Sequence, residues 1–172
     1  MSQKYPVPIW VTWVPTVSPL DVYALPSFGY QERTGGRGGG MRTARAISKS
    51  GYYHVILRGD GKRQIFEDDF DRRAFLGLVE SCLVTRGVDV VAWCLMSNHV
   101  HLVVCDTEEN LSEAVGSLAM RYARRFNART GHVGHVFQER FKSSPIESDA
   151  YLLEAVRYVH NNPEKSGICR AE

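Results

Sequence analysis

Val88-Asp89-Val90-Val91-Ala92-Trp93-Cys94-Leu95, then Met96-Ser97-Asn98, then His99-Val100-His101-Leu102-Val103-Val104-Cys105 is the stretch that decides the fold. Both outer runs are apolar and rich in β-branched residues, and Ser97-Asn98 between them is turn chemistry. They predict two strands joined by a tight turn. Upstream, Tyr53-His54-Val55-Ile56-Leu57-Arg58 predicts an earlier strand that Gly59-Asp60-Gly61 stops. Between these strands Phe70, Ala74, Phe75, Leu78, Val79, Cys82 and Leu83 follow helical spacing, behind a cap at Asp68 or Asp69 and before Gly87. Downstream, Leu111, Val115, Leu118, Tyr122 and Phe126 mark one face of a helix running from Asn110 or Ser112 to about Arg129. Val136 to Ile146 contains a fourth strand, with Pro145 marking its end. Ser148 or Asp149 then caps a helix from Ala150 to about Asn161, halted by Pro163.

The order is βαββαβ plus one helix. The first six elements predict an α+β fold of the ferredoxin-like kind, one antiparallel sheet with two helices on one face. The surplus C-terminal helix is expected across the other face or the edge.

The totals fit that reading. The sequence has 172 residues, room for one sizeable core, and 44% hydrophobic with 23% charged residues is ordinary for a globular protein. A net charge of +2 announces no nucleic-acid partner, so any anion-binding surface must be local. Cys82, Cys94, Cys105 and Cys169 form no CxxC pair, which suits buried thiols in a reducing cytoplasm. Pro8, Pro15 and Pro19 interrupt the apolar stretch from Val7 to Val22, so neither a signal peptide nor a membrane span is expected there. Residues 1–40 carry Pro6, Pro8, Pro15, Pro19 and Pro26 and end in Gly35-Gly36-Arg37-Gly38-Gly39-Gly40. Without helical or strand periodicity they read as an extended or disordered extension, or as sequence upstream of a true start at Met41. Trp10 and Trp13 argue the other way. The folded domain is expected over 41–172.

Two motifs carry chemistry. Side chains at i and i+2 of a strand share a face, so His99 and His101 point together while Val100 enters the core. Two imidazoles side by side are half of a divalent-metal site; the motif alone reads more readily as a surface pair, and its place on a central strand with helices on only one face shifts the balance toward a site. In Arg157-Tyr158-Val159-His160-Asn161-Asn162-Pro163, Tyr158 and Asn162 stand at i and i+4 on one helix face. A tyrosine there can attack a phosphodiester if a metal polarises the phosphate, or can simply be a core aromatic. Tyr151, two turns earlier, is the competing nucleophile.

Taken together these residues resemble the single-tyrosine HUH transposases, most of all the REP-associated tyrosine transposases and their insertion-sequence relatives. Tyr52-Tyr53-His54-Val55 with Arg58-Gly59, Met96-Ser97-Asn98-His99 and Val136-Phe137-Gln138-Glu139-Arg140-Phe141-Lys142-Ser143 add to the resemblance, which spans about residues 42–170. It implies Mg²⁺ or Mn²⁺ held by His99 and His101, with Asn162 as a third ligand where relatives often carry glutamine. It further implies Tyr158 as the nucleophile that becomes joined to a 5′-phosphate of hairpin-containing single-stranded DNA, in a monomer or homodimer.

Arg121, Arg125 and Arg129 at i, i+4 and i+8 form a basic stripe, and Arg140 and Lys142 alternate on the fourth strand; both groups are candidate DNA contacts. His132 and His135 lie in a glycine-bearing loop and read as structural or DNA-facing, and His160 as exposed. His54 shares the open sheet face if the register allows. The rival to an enzyme is a DNA-hairpin-binding module that cuts nothing. An RNA-binding sheet would need aromatics where strand three has imidazoles, and a zinc hydrolase would need a carboxylate beside them. Deletion of residues 1–40 is expected to leave a cooperatively unfolding, active domain; loss of the cooperative transition in a urea titration would show that Trp10 and Trp13 pack on the core.

Overall fold

The computed structural model describes residues 46–165, with side chains through residue 161. The expectations for residues 1–40, Met41 and Cys169 lie outside the described residues. The elements are β1 (Tyr52–Arg58), α1 (Asp69–Cys82), β2 (Asp89–Leu95), β3 (His99–Cys105), α2 (Leu111–Thr130), β4 (Lys142–Ile146) and α3 (Asp149–Lys165). The strands form one sheet in the order β2-β3-β1-β4, and every pairing is antiparallel. The chain is thus α+β, with β1 and β3 central. No helix among the described residues is long and apolar enough to cross a membrane.

Alternation along the two central strands divides the protein into two cores. Val55 and Leu57 of β1 and Val100, Leu102 and Val104 of β3 face α1 and α2, meeting Phe75, Val79, Leu118, Tyr122 and Phe126 in the larger core. At its centre the Tyr122 ring lies 5.0 Å from Phe75 and 5.5 Å from Phe66, and its hydroxyl donates to the Ile65 carbonyl. The opposite face is covered by α3, where Ala92, Cys94, Met96, Val103 and Ile146 pack with Ala155 and Val159. The surplus helix therefore lies across the face that the first two helices leave bare.

Local chemistry explains the helix ends. Asp68 caps α1 by accepting from the Asp71 amide. At α2 the N-cap residue is Asn110, whose side chain makes no cap bond; the buried Asp106 carboxylate accepts from the amides of Glu108, Asn110 and Leu111. Gly131 ends α2 with φ +69°, a left-handed conformation that glycine adopts without strain. Arg129 reaches back from the last turn of α2 to Asp68 at 3.1 Å and to the buried Asp71, tying the two helices together.

Three features differ from the sequence expectation. The register of β2 against β3 shifts between Val90 and Ala92, a bulge at the exposed Val91 that turns Val90 and Ala92 to opposite faces. The fourth strand begins only at Lys142, so Arg140 lies in the segment before it rather than alternating with Lys142 on a strand; as an edge strand, β4 accommodates Pro145 internally. Pro163 does not halt the last helix. It sits in the final turn of α3, which runs to Lys165 and forgoes the one backbone bond that proline cannot donate.

Tyr122→Phe keeps the ring but strands the buried Ile65 carbonyl. A loss of about 1–2 kcal/mol is expected, read as a lower urea midpoint with unchanged slope.

Candidate functional site

Alternation that sends Val55 and Leu57 one way sends His54, Ile56 and Arg58 the other, and in β3 it sends His99, His101 and Val103 the same way. The register pairs Arg58 with His99, Ile56 with His101 and His54 with Val103, so His54 is a diagonal neighbour of His101. From β4, Lys142 pairs with Ile56 and Ser144 with His54. The face beneath α3 thus gathers three histidines flanked by Arg58 and Lys142.

The imidazoles touch. His99 and His101 have ring centroids 4.8 Å apart and nearly perpendicular. His54 stacks on His101 at 5.1 Å, with His54 Nε2 3.0 Å from His101 Nδ1. His99 Nδ1 lies 2.6 Å from the Asn98 side-chain oxygen, and the Asn98 amide nitrogen donates to the Lys62 carbonyl at 3.3 Å. From above, α3 sets the Tyr158 ring edge-on, 5.6 Å from His101 and 6.2 Å from His54. Tyr158 is itself half-buried at the margin of the smaller core.

Burial is greatest at His101, only 2% exposed, whose Nε2 has no hydrogen-bond partner among the described residues. Of the two readings open for the pair, a freely exposed surface pair is not what the fold holds: α3 covers the strand, and of the two only His99 is half open. Burial lowers the His54 pKa to about 4. Burial, with the Arg58 cation behind it, lowers His99 to about 4. His101 is held well below the usual histidine range by burial, then by His99, His54 and Arg58. All three are uncharged at neutral pH, the state in which an imidazole can bind a cation.

His99 and His101 can supply two neighbouring nitrogen donors. Among the described residues no three His, Cys, Asp or Glu side chains are placed to hold a metal together. Other donors to a bound ion would come from amides, from phosphate or water oxygens, or from residues beyond those described. Asn162 lies one turn after Tyr158 on α3, but its side chain is outside the described residues.

The arginine stripe is elsewhere. Arg121, Arg125 and Arg129 stand on α2, in the layer across the sheet from the histidines. Arg121 donates to Ser81 Oγ and Cys82 Sγ at 3.3 and 3.2 Å, and Arg125 lies over the Phe70 ring at 4.9 Å. Arg140 is exposed, and Lys142 pairs with Glu139 at 3.2 Å. His132 contacts Arg63, while His135 and His160 are exposed. Tyr151 is half-buried in the smaller core, about 10 Å before Tyr158 along the helix axis. Sequence reasoning passed over Arg58, whose signal was its even spacing from His54 on β1.

The family model described as IS200-like transposase matches residues 47–162, more than half of the chain. The chain belongs to the IS200-like transposase family. The matched span contains the three histidines, Arg58 and Tyr158. Among solved structures, one of a REP-associated tyrosine transposase bound to a REP hairpin is 18% identical, covers 75% of this chain and 76% of its own, and superposes with a TM-score of 0.57. At that identity the likeness is one of fold. A Deinococcus radiodurans R1 structure provisionally assigned as a transposase is 20% identical over 70% of this chain and 97% of its own, with a TM-score of 0.49. No curated protein matches the chain.

The lowered histidine pKa values have a consequence for this transposase-family domain. Between the unfolded value of 6.5 and the folded value of about 4, the unfolded chain binds protons that His54 and His99 refuse in the fold. Their stabilisation is complete above pH 6.5 and is lost as pH falls toward 4, at up to about 1.4 kcal/mol per pH unit for each histidine. Urea midpoints of the metal-free protein should decline across this window, and the His54→Gln/His99→Gln double variant should show a flatter decline.

Proposed function

We propose that the chain is a metal-dependent tyrosine transposase of the HUH class, a single-stranded DNA endonuclease and strand transferase acting on hairpin-containing DNA. In this reading the βαββαβ core is a ferredoxin-like domain, and the C-terminal helix presents the nucleophile. The observation that supports it most is the Tyr158 ring lying edge-on to His101 and His54 within the span that matches the family. His99 and His101 fit Mg²⁺ or Mn²⁺: both are neutral imidazoles, and His101 Nε2 is a buried nitrogen without a partner among the described residues. Asn162 is the proposed third ligand. When bound, such a cation supplies Lewis-acid stabilisation of charge on the scissile phosphate.

The chain's own residues then divide the work. Tyr158 Oη attacks the phosphorus; the Oη–P bond forms and the bond from phosphorus to the 3′-oxygen breaks. The phenol proton passes to solvent, and the departing oxygen takes a proton from water to become a 3′-hydroxyl. DNA remains joined to Tyr158 through its 5′-phosphate until a 3′-hydroxyl reverses the step. The half-burial of Tyr158 leaves its ring packed and its margin reachable by a strand. Arg58 and Lys142, on the same sheet face, add positive charge near the phosphate. Arg121, Arg125 and Arg140 serve as phosphate contacts farther along the DNA. Arg129 joins that surface while its ion pairs with Asp68 and Asp71 hold the helices.

The test is incubation with labelled hairpin oligonucleotides and Mn²⁺. The parent should form a covalent protein–DNA adduct. Tyr158→Phe keeps ring packing, with a stability loss of at most about 1 kcal/mol, and should bind the hairpin without forming an adduct. His99→Ala should likewise bind without cutting. A nucleotide mapped to Tyr151 would overturn the assignment of the nucleophile, and a parent that binds hairpins yet forms no adduct with any divalent metal would establish a binding module instead.

A further inference from the structure

We infer that His54 is a positioning residue: it accepts a hydrogen bond from His101 Nδ1–H and so holds His101 in the tautomer whose bare nitrogen is Nε2. The argument begins at His99. Asn98 directs its amide nitrogen to the Lys62 carbonyl, so the end that meets His99 is its oxygen, which only accepts. His99 Nδ1 therefore carries the proton, and its Nε2 keeps the lone pair. His101 faces the same choice against a different partner, because two ring nitrogens 3.0 Å apart share one proton. If His54 Nε2–H were the donor, His101 would place its own proton on Nε2, a buried N–H without an acceptor among the described residues. Buried N–H groups lacking an acceptor are rarer in folded proteins than buried acceptors lacking a donor. With His101 donating, both histidines of the pair present the same nitrogen, and each is oriented through Nδ1 by a neighbour outside the pair.

The His54 and His101 ring planes are inclined by 27° with centroids 5.1 Å apart, and the Tyr158 edge closes against both. His54 thus has its ring held from two sides and its Nε2 fixed toward β3. Outer partners of this kind set tautomer and orientation at metal-binding histidines. The metal part of the inference rests on the function proposed above; the tautomer does not.

The full-length, metal-free, ¹⁵N-labelled protein at pH 7.5 tests it by long-range ¹H–¹⁵N correlation of the imidazole rings. His101 should show a protonated Nδ1 and a bare Nε2. His54→Phe, which keeps an aromatic ring and removes the acceptor, should shift His101 toward protonated Nε2, and His54→Gln, which restores an acceptor oxygen, should return it. His54→Leu gives the same comparison if the phenylalanine variant does not fold. In parallel Mn²⁺ titrations, His54→Phe should bind about ten-fold or more weakly and His54→Gln should recover. A parent with protonated Nε2 on His101, or a pattern unchanged in both His54→Phe and His54→Leu, would overturn the inference. The expected tautomers in a parent that binds no Mn²⁺ would uphold the inference and overturn the metal reading instead.

Discussion

The site depends on how α3 seats on the sheet. Ala155 and Val159, one turn apart, are buried with Val103 of β3, Ile146 of β4 and the α3-facing residues of β2. Ala155 is small, so the helix axis can approach the strands closely. Tyr158 precedes Val159 by one position and so lies at the margin of the apolar stripe, where the ring packs while its edge meets imidazoles. If α3 docked one residue out of register, the tyrosine would rotate by about 100° away from the histidines. The smaller core sets how Tyr158 meets the histidines as well as closing the fold.

What α3 covers is unusual for a core. Three neutral imidazoles and a half-buried arginine occupy a sheet face that hydrophobic residues would fill more stably. Burial lowers the histidine pKa values, alone at His54, which falls to about 4, and together with Arg58 at His99. The larger core offsets this. Tyr122, Phe66, Phe75 and Phe126 interlock under α1 and α2. Stability comes chiefly from one layer, and the other is free to hold polar groups that a purely structural sheet would exclude.

Much of this was legible because strand alternation is local. The sequence His99-Val100-His101 is enough to say which side chains share a face, and the helical spacing of Leu111 to Phe126 is enough to find α2. The failures were nonlocal or exceptional. Register across β1 and β3, which brings His54 diagonally to His101 and sets Arg58 beside His99, is fixed by the folded sheet and not by either strand. A period-two pattern cannot reveal the bulge at Val91, because the bulge breaks the period. Asn110 begins α2 as expected, but the carboxylate that takes up the first amides is that of Asp106, four residues earlier, which no helix-start pattern marks. Pro163 misled because its cost is small in a final turn, where only one backbone bond is lost.

Charge shows the same division between face and partner. Helical spacing correctly put Arg121, Arg125 and Arg129 on one surface of α2, yet said nothing of Asp68 and Asp71, which arrive from α1 and take up Arg129. It also could not say that the sheet stands between this stripe and the histidines. The positive charge on the histidine face comes from Arg58, which pairs with His99 two residues along β1 from Ile56, and from Lys142, which pairs with Ile56 from β4 and is shared with the Glu139 carboxylate at 3.2 Å. With a net charge of only +2, such local placement decides where a polyanion feels attraction. A strand lying over Tyr158 would meet these two cations, and only nucleic acid reaching around the domain would meet the α2 arginines. The two basic surfaces are therefore separate electrostatic features, joined only by a ligand long enough to span both.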